Sequence, residues 1–251
     1  MENKLPDYNK SKAGILDNIV AFLTGFAAGF FIIHIFYFII ILSLSGGIII
    51  GIINILVSQK TSIQKRREKL RIQFFDLLEA MSVAMRAGHT ILKSLLSAKD
   101  DLSLIYPAGS DIITELNIII GKFNNALPLS EAFSDLAKRS GLDDIKSFAS
   151  IYATIEGKSG RADEIVKETQ QIIADKMEIE MEIETLMTAA KSEVKIMLLM
   201  PLVILGIINY AGAGFMDAIY TTVAGRVVSS LGLAVFIISY IMAQKFSNIK
   251  L

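Results

Sequence analysis

Apolar residues run almost without interruption from residue 15 to residue 57. As a single helix, about 43 residues would reach about 65 Å, roughly twice the thickness of a bilayer's hydrocarbon core. The run must therefore turn back. A break between His34 and Tyr37 leaves two segments of about 19–22 residues, each able to span, whereas a break at Gly46 and Gly47 leaves about ten for the return, too few. The pattern predicts spans at about 16–34 and about 37–57. His34 then reads as a polar residue at headgroup level in a tight hairpin, rather than as an intramembrane functional group. Toward the other end, residues 196–215 and 227–243 form two more apolar runs, with Pro201 near the start of the first. A proline there is tolerated where neighbouring helices satisfy the freed carbonyl, and it is expected to kink the span.

Between the two pairs of spans lies a stretch of polar sequence with helical periodicity. Phe74, Leu77, Leu78, Met81, Val83 and Met85 mark a first amphipathic helix, with Gly88 as a left-handed cap and Thr90 as the N-cap of the next. Ser110 or Asp111 opens a third helix through Ile112, Leu116 and Ile119. Pro128 and Ser130 open a fourth that Gly141 closes, and Leu142 and Asp143 start a fifth. Gly157 and Gly160 break the chain before a long last helix at about 161–191, in which Ile165, Ile172, Ile179 and Leu186 recur seven apart, beside Val166, Ile173 and Met187. Within it residues 177–184 alternate Met or Ile with Glu, a strand signal. Met and Glu are strong helix formers and the seven-residue stripe runs through the piece, so it reads as helix. The expected fold is all-α: four transmembrane helices around one antiparallel helical-bundle domain of about six helices. Its divisions are residues 1–58, 59–193 and 194–251.

Composition agrees. The chain of 251 residues is 53% hydrophobic with mean hydropathy +0.53, too apolar for an ordinary soluble domain. Its formal net charge is zero, which speaks against a nucleic-acid partner of the bulk-charge type. It has no cysteine, which excludes disulfides, thiolate metal sites and cysteine nucleophiles. Charge matters most in its distribution. Lys65, Arg66, Arg67, Lys69 and Arg71 form a basic collar just after the second span, and by the positive-inside rule they put the bundle on the cytoplasmic side. Lys4, Lys10 and Lys12 put the N-terminus there too, and Lys245 and Lys250 do the same for the C-terminus. A cleavable signal peptide is the weaker reading, because the leading region holds Glu2, Asp7 and Asp17 and the apolar run continues past any cleavage-like site.

Candidate chemistry is sparse. The Gly157-Lys158-Ser159-Gly160 piece resembles a phosphate loop, but Tyr152 stands where the upstream glycine belongs and no strand precedes it, so a tight interhelical turn is the better reading. Glu178 and Glu182 share one helix face, and Glu180 and Glu184 share another. Paired carboxylates could hold a divalent ion, but no histidine or other ligand accompanies them, so an acidic surface for a basic partner is the better reading. The candidate contact residues are therefore Arg66, Arg67 and Arg71 of the collar and Glu178, Glu180, Glu182 and Glu184. Gly88, Gly157 and Gly160 are candidate turn residues and Pro201 the candidate kink. Neither a catalytic set nor a metal or cofactor site is expected.

Several pieces resemble the type II secretion system F domain (GspF-like) family, and within it the TadB/TadC branch of tight-adherence, or Flp-type, pilus systems. FFDLLEAMSVAMRAGHTILKSL resembles the family's opening helices, LPLSEAFSDLAKRSGLDDIKSF its central pair, and IEGKSGRADEIVKETQQII its glycine turn and closing helix. MLLMPLVILGIINY followed by YTTVAGR resembles the third span and outer loop of that branch. The general secretion F protein resembles two copies of this domain, whereas here there is one. The resemblance implies a non-enzymatic inner-membrane platform protein, without cofactors, that couples a hexameric secretion ATPase to extraction of pilin subunits and fibre assembly. A paralogous F-domain membrane protein, the lipid bilayer and further copies in a homo- or hetero-oligomer are its implied partners. The competing reading is a small transporter or channel subunit, which needs a polar lining that these dry spans lack. A membrane-anchored enzyme would need a convergent acid, base or metal set in the bundle, and none is visible.

Overall fold

The computed structural model describes residues 5–10, 14–156, 162–211, 214 and 216–247, and none of them lies in a strand. The helices are α1 (Ile15–Tyr37), α2 (Ile40–Arg86), α3 (Ile91–Ile105), α4 (Asp111–Asn124), α5 (Leu129–Ser140), α6 (Asp143–Ile155), α7 (Ala162–Ala211), α8 (Asp217–Thr221) and α9 (Val223–Ser247). They form two compact units, one drawn from residues 1–12 and 60–178 and the other from 13–59 and 179–251. The chain passes between them three times, once between residues 12 and 13, once within α2 and once within α7.

The first unit is a helical bundle. Leu70, Phe74, Leu77, Leu78 and Met81 of α2 fall three or four residues apart, so they share one face, and all are fully buried. Around them Phe74, Phe133, Phe148 and Tyr152 form an aromatic cluster in which Phe133 meets Phe148 edge-on at 5.0 Å between ring centres. The starts of α3 and α4 are capped as their sequences suggest, whereas α5 and α6 start after Pro128 and Leu142 with no side-chain cap. The Thr90 hydroxyl accepts from the Lys93 amide, and the Ser110 hydroxyl accepts from the Ile113 amide.

Helix ends show a less legible rule. After α2, Gly88 takes φ 86° and the amides of Gly88 and His89 donate to the carbonyls of Met85 and Ala84. This is a Schellman closure. The same pair of bonds closes α4, from Ala126 to Phe123 and from Leu127 to Lys122, but there the left-handed residue is an alanine, at φ 62°. Gly141 closes α5 at φ 63°, and a Cβ there would also press to 2.7 Å from the Arg67 guanidinium.

The second unit holds the membrane segments. Among the described residues, four helices are long and apolar enough to cross a bilayer: Ile15–Tyr37, Ile40–Arg86, Glu164–Tyr210 and Val223–Ala243. The hairpin turns at Phe38, which takes φ 51°, rather than between His34 and Tyr37. His34 stays inside α1's last turn, its ring stacked between Phe30 and Phe38 and its carbonyl accepting from the Phe38 amide at 2.8 Å. The hairpin closes on small residues. Ala21, Gly25 and Gly29 recur every four residues along α1, opposite Gly47 and Gly51 of α2. A Cβ on Gly25 would lie 2.6 Å from Asn54 Cβ, and one on Gly51 2.8 Å from the Phe22 ring. Such spacing lets helix backbones approach where lipid tails offer no hydrophobic drive to association. The third span is described as helix through Ala211, the expected end at residue 215 lies outside the described residues, and the stretch before the fourth span contains α8.

Candidate functional site

The basic collar turns inward. Arg66 forks onto Asp111, Nε to Oδ2 at 3.2 Å and Nη2 to Oδ1 at 2.8 Å, and its side chain is only 13% exposed. Arg71 donates to Asp144 at 2.7 Å and is 7% exposed. Asp111 opens α4 and Asp144 lies with Asp143 in the first turn of α6, where negative charge suits the helix dipole. Gln73 adds a third tie by accepting from the Ile112 amide at 3.2 Å. Arg67 donates from Nε to the Tyr8 carbonyl and from Nη2 to Asn9 Oδ1. Arg66, Arg67 and Arg71, the candidate contact residues of the collar, thus hold helix starts and the N-terminal segment to α2.

That segment is the part of the bundle the sequence did not announce. Tyr8 is fully buried, the Arg66 guanidinium lies 4.3 Å above its ring, and its hydroxyl donates to Glu115 Oε1 at 2.8 Å. Glu115, also fully buried, is gripped by both terminal nitrogens of Arg139, with Nη2 to Oε2 at 2.6 Å. Arg139 Nε reaches Asp135 at 3.0 Å, and Lys122 reaches the same carboxylate at 2.6 Å. The Arg139 main chain accepts from the Tyr8 amide at 3.1 Å, and its Nη1 donates to the Pro6 carbonyl. A Glu on the buried face of IITELNIII, three residues past Ile112 and beside Leu116, was the one available sign of this network.

The network biases its own charges. Burial pushes the Tyr8 phenol far above its ordinary range, and the neighbouring Glu115 carboxylate adds to this. Burial would raise Asp135, but the Lys122 hydrogen bond and the Arg139 charge outweigh it, so this carboxyl is held below its usual range. Tyr152 is pushed up to about 12, by burial first and then by Glu156. Every group in the network is met by a partner of opposite character, which is the arrangement of a structural clamp.

The acidic run lies on α7. Glu178 and Glu182 are exposed, Glu180 is half-buried, and the Glu184 side chain lies outside the described residues, as do Gly157 and Gly160. Pro201 sits inside α7, which continues through it; lacking an amide, it leaves the Met197 carbonyl without its helical donor. Among the described residues no group of three or more His, Cys, Asp or Glu is placed to hold a metal ion.

One surface feature had no sequence signal. A groove of about 460 Å³ runs between α5 and α6, floored by Ala137, Ala149 and Ala153 and flanked by Lys138 and Lys146. The two helices form an antiparallel pair joined at Gly141, so both lysines lie toward the turn end of the groove.

In the second unit, polar groups sit near the helix ends. Asn54 Nδ2 donates to the Ala21 carbonyl at 2.7 Å, and Gln59 donates to Asn18 at 3.2 Å. At the other end of α1, Asn209 and Tyr220 both donate to the Ile35 carbonyl, and the Tyr37 and Ser230 hydroxyls lie 2.8 Å apart. These bonds tie span to span.

Among the described residues, four helices able to cross a membrane, with the bundle's helices falling between the second and third in sequence, define a multi-pass all-α membrane protein. Residues 77–209, more than half of the chain, match the family model for the Type II secretion system (T2SS), protein F. The chain belongs to that family, and the matched region takes in all of α3 to α6. No curated protein and no solved structure matches it.

Proposed function

We propose that this protein is an inner-membrane platform of a type II secretion or tight-adherence pilus machine, of the TadB/TadC branch, with its termini and bundle in the cytoplasm. In this reading it is not an enzyme. It couples a hexameric secretion ATPase to extraction of pilin subunits from the bilayer and their insertion into a fibre, beside a paralogous F-domain protein. The observation that carries the reading is α7, one helix from Ala162 to Ala211 that begins with residues of the bundle and ends as an apolar span. A force delivered to residues 162–178 has a hydrogen-bonded path along that helix, with no loop to absorb it. The single bundle and the paired spans before it favour the TadB/TadC branch.

The test is affinity purification of the tagged protein from its own membranes in mild detergent, with mass spectrometry of what comes with it. Recovery of a secretion-type ATPase, a second polytopic F-domain protein or a pilin is the expected result. Recovery of none of these, together with solute flux through the protein reconstituted alone in liposomes, would replace the platform with a transporter.

A further inference from the structure

The α5–α6 groove and the outer edge of α7 are complementary, and they lie on opposite flanks of α6. On α7 the row that enters the core is Val166, Thr169 and Ile173, all buried. The neighbouring row carries Ile172 and Ile179, each 56% exposed, and is bordered by the exposed carboxylates of Glu168, Asp175 and Glu178. Asp175 is oriented by Gln171 Nε2 at 2.8 Å. This is an apolar ridge with an acidic border. The groove is the inverse: a floor of alanines whose missing side chains leave the hollow, two lysines at its rim and no carboxylate in its lining.

The chain cannot place its own ridge in its own groove. Lys176 of α7 is bonded to Asp144 of α6 at 3.0 Å, which fixes α7 to one side of α6. Lys146, Ala149, Ser150 and Ala153 lie roughly 140–240° around the α6 helical wheel from Asp144, on the far side. Yet both surfaces lie close to this contact: Lys146 and Glu178 are each about half a helical turn along from the bonded pair.

We propose that the α7 ridge of one copy of this protein seats in the α5–α6 groove of the next. Ile172 would enter over the alanine floor, and Asp175 and Glu178 would face Lys138 and Lys146. Because ridge and groove lie on opposite flanks of α6, two copies cannot make both contacts with each other at once, and the contact is head-to-tail. Copies inserted the same way in one bilayer are related by rotation about its normal, so the contact builds a ring rather than a two-fold dimer. The charges set register and exclude other partners, while the apolar ridge supplies the buried area. The proposal does not depend on the platform reading, because it concerns only what one copy does to another.

The protein has no cysteine, so introduced thiols have no background. Two full-length chains, one Ser150→Cys and one Ile172→Cys, would carry different tags and be co-expressed in membranes, then treated with a short bismaleimide. The expected product is a mixed-tag dimer, with neither chain dimerising alone and a ladder of higher species from the doubly substituted chain. Lys138→Glu with Lys146→Glu in the groove chain should cut the mixed dimer about tenfold, and Asp175→Lys with Glu178→Lys in the ridge chain should restore it. The proposal is overturned if maleimide labelling finds both thiols reachable but no mixed dimer forms. Ser150→Cys linking to itself, or to another protein, would overturn it equally.

Discussion

Glu115 is fully buried, so its charge is tolerable only while Arg139 and Tyr8 hold it. Arg139→Ala should therefore cost about 3–5 kcal/mol, because it strands a buried carboxylate. Tyr8→Phe removes one donor and should cost less, about 1–3 kcal/mol. Thermal unfolding of the detergent-solubilised variants checks the order, and equal midpoints would mean that the clamp is not load-carrying in this sense. Titration offers a second view. Tyr152 is raised to about 12, so the fold favours its neutral form. That contribution is complete below the unfolded phenol's value of about 10 and drains away as the pH climbs from there to about 12. Asp135 is depressed, so its contribution is present above the unfolded value of about 3.9 and is lost as acid is added below it. Stability followed by circular dichroism should fall at both ends, and Tyr152→Phe should blunt only the alkaline fall.

Among the helices, the contrast between Gly88 and Ala126 shows what sequence can and cannot announce. Both occupy the left-handed position of the same hydrogen-bonded closure. Gly88 was legible because glycine is the residue that conformation favours. Ala126 was not, because an alanine in that conformation is an exception that no local residue preference announces. Ala126→Gly should stabilise the bundle by about 1 kcal/mol, since a left-handed alanine carries a cost of roughly that size. A lowered unfolding midpoint would show that the strain has been misjudged. The same logic separates other successes from failures. The spans, the capped helix starts and the hydrophobic faces were legible because each is a local pattern. The α1–α2 glycine seam was less so, because glycines four apart gain meaning only when the facing helix is known. The collar was legible as charge but not as contact. Whether Arg66 meets lipid or Asp111 depends on a residue 45 positions away.

For the molecule as a whole, the decisive property is that the chain changes unit inside helices. If force passes along α7, its transmission depends on the helix being unbroken near Lys191, where the polar residues give way to the apolar span. A flexible glycine-rich insert at that point keeps every side chain of the bundle and every side chain of the span, yet removes the stiff path. Fibre assembly should then be lost while the protein still inserts and its partners still co-purify. An insert of two helical turns in alanine-rich sequence keeps the path, restores the facing of the two halves to within about 20° of the original, and should retain most assembly. The pair of inserts separates mechanism from mere tolerance of added length. If both variants assemble fibres at full level, α7 is a tether rather than a lever, and coupling must run elsewhere, with the other helical crossing, within α2, the first to test. The same two inserts placed near residue 60 would then distinguish which helix carries the load.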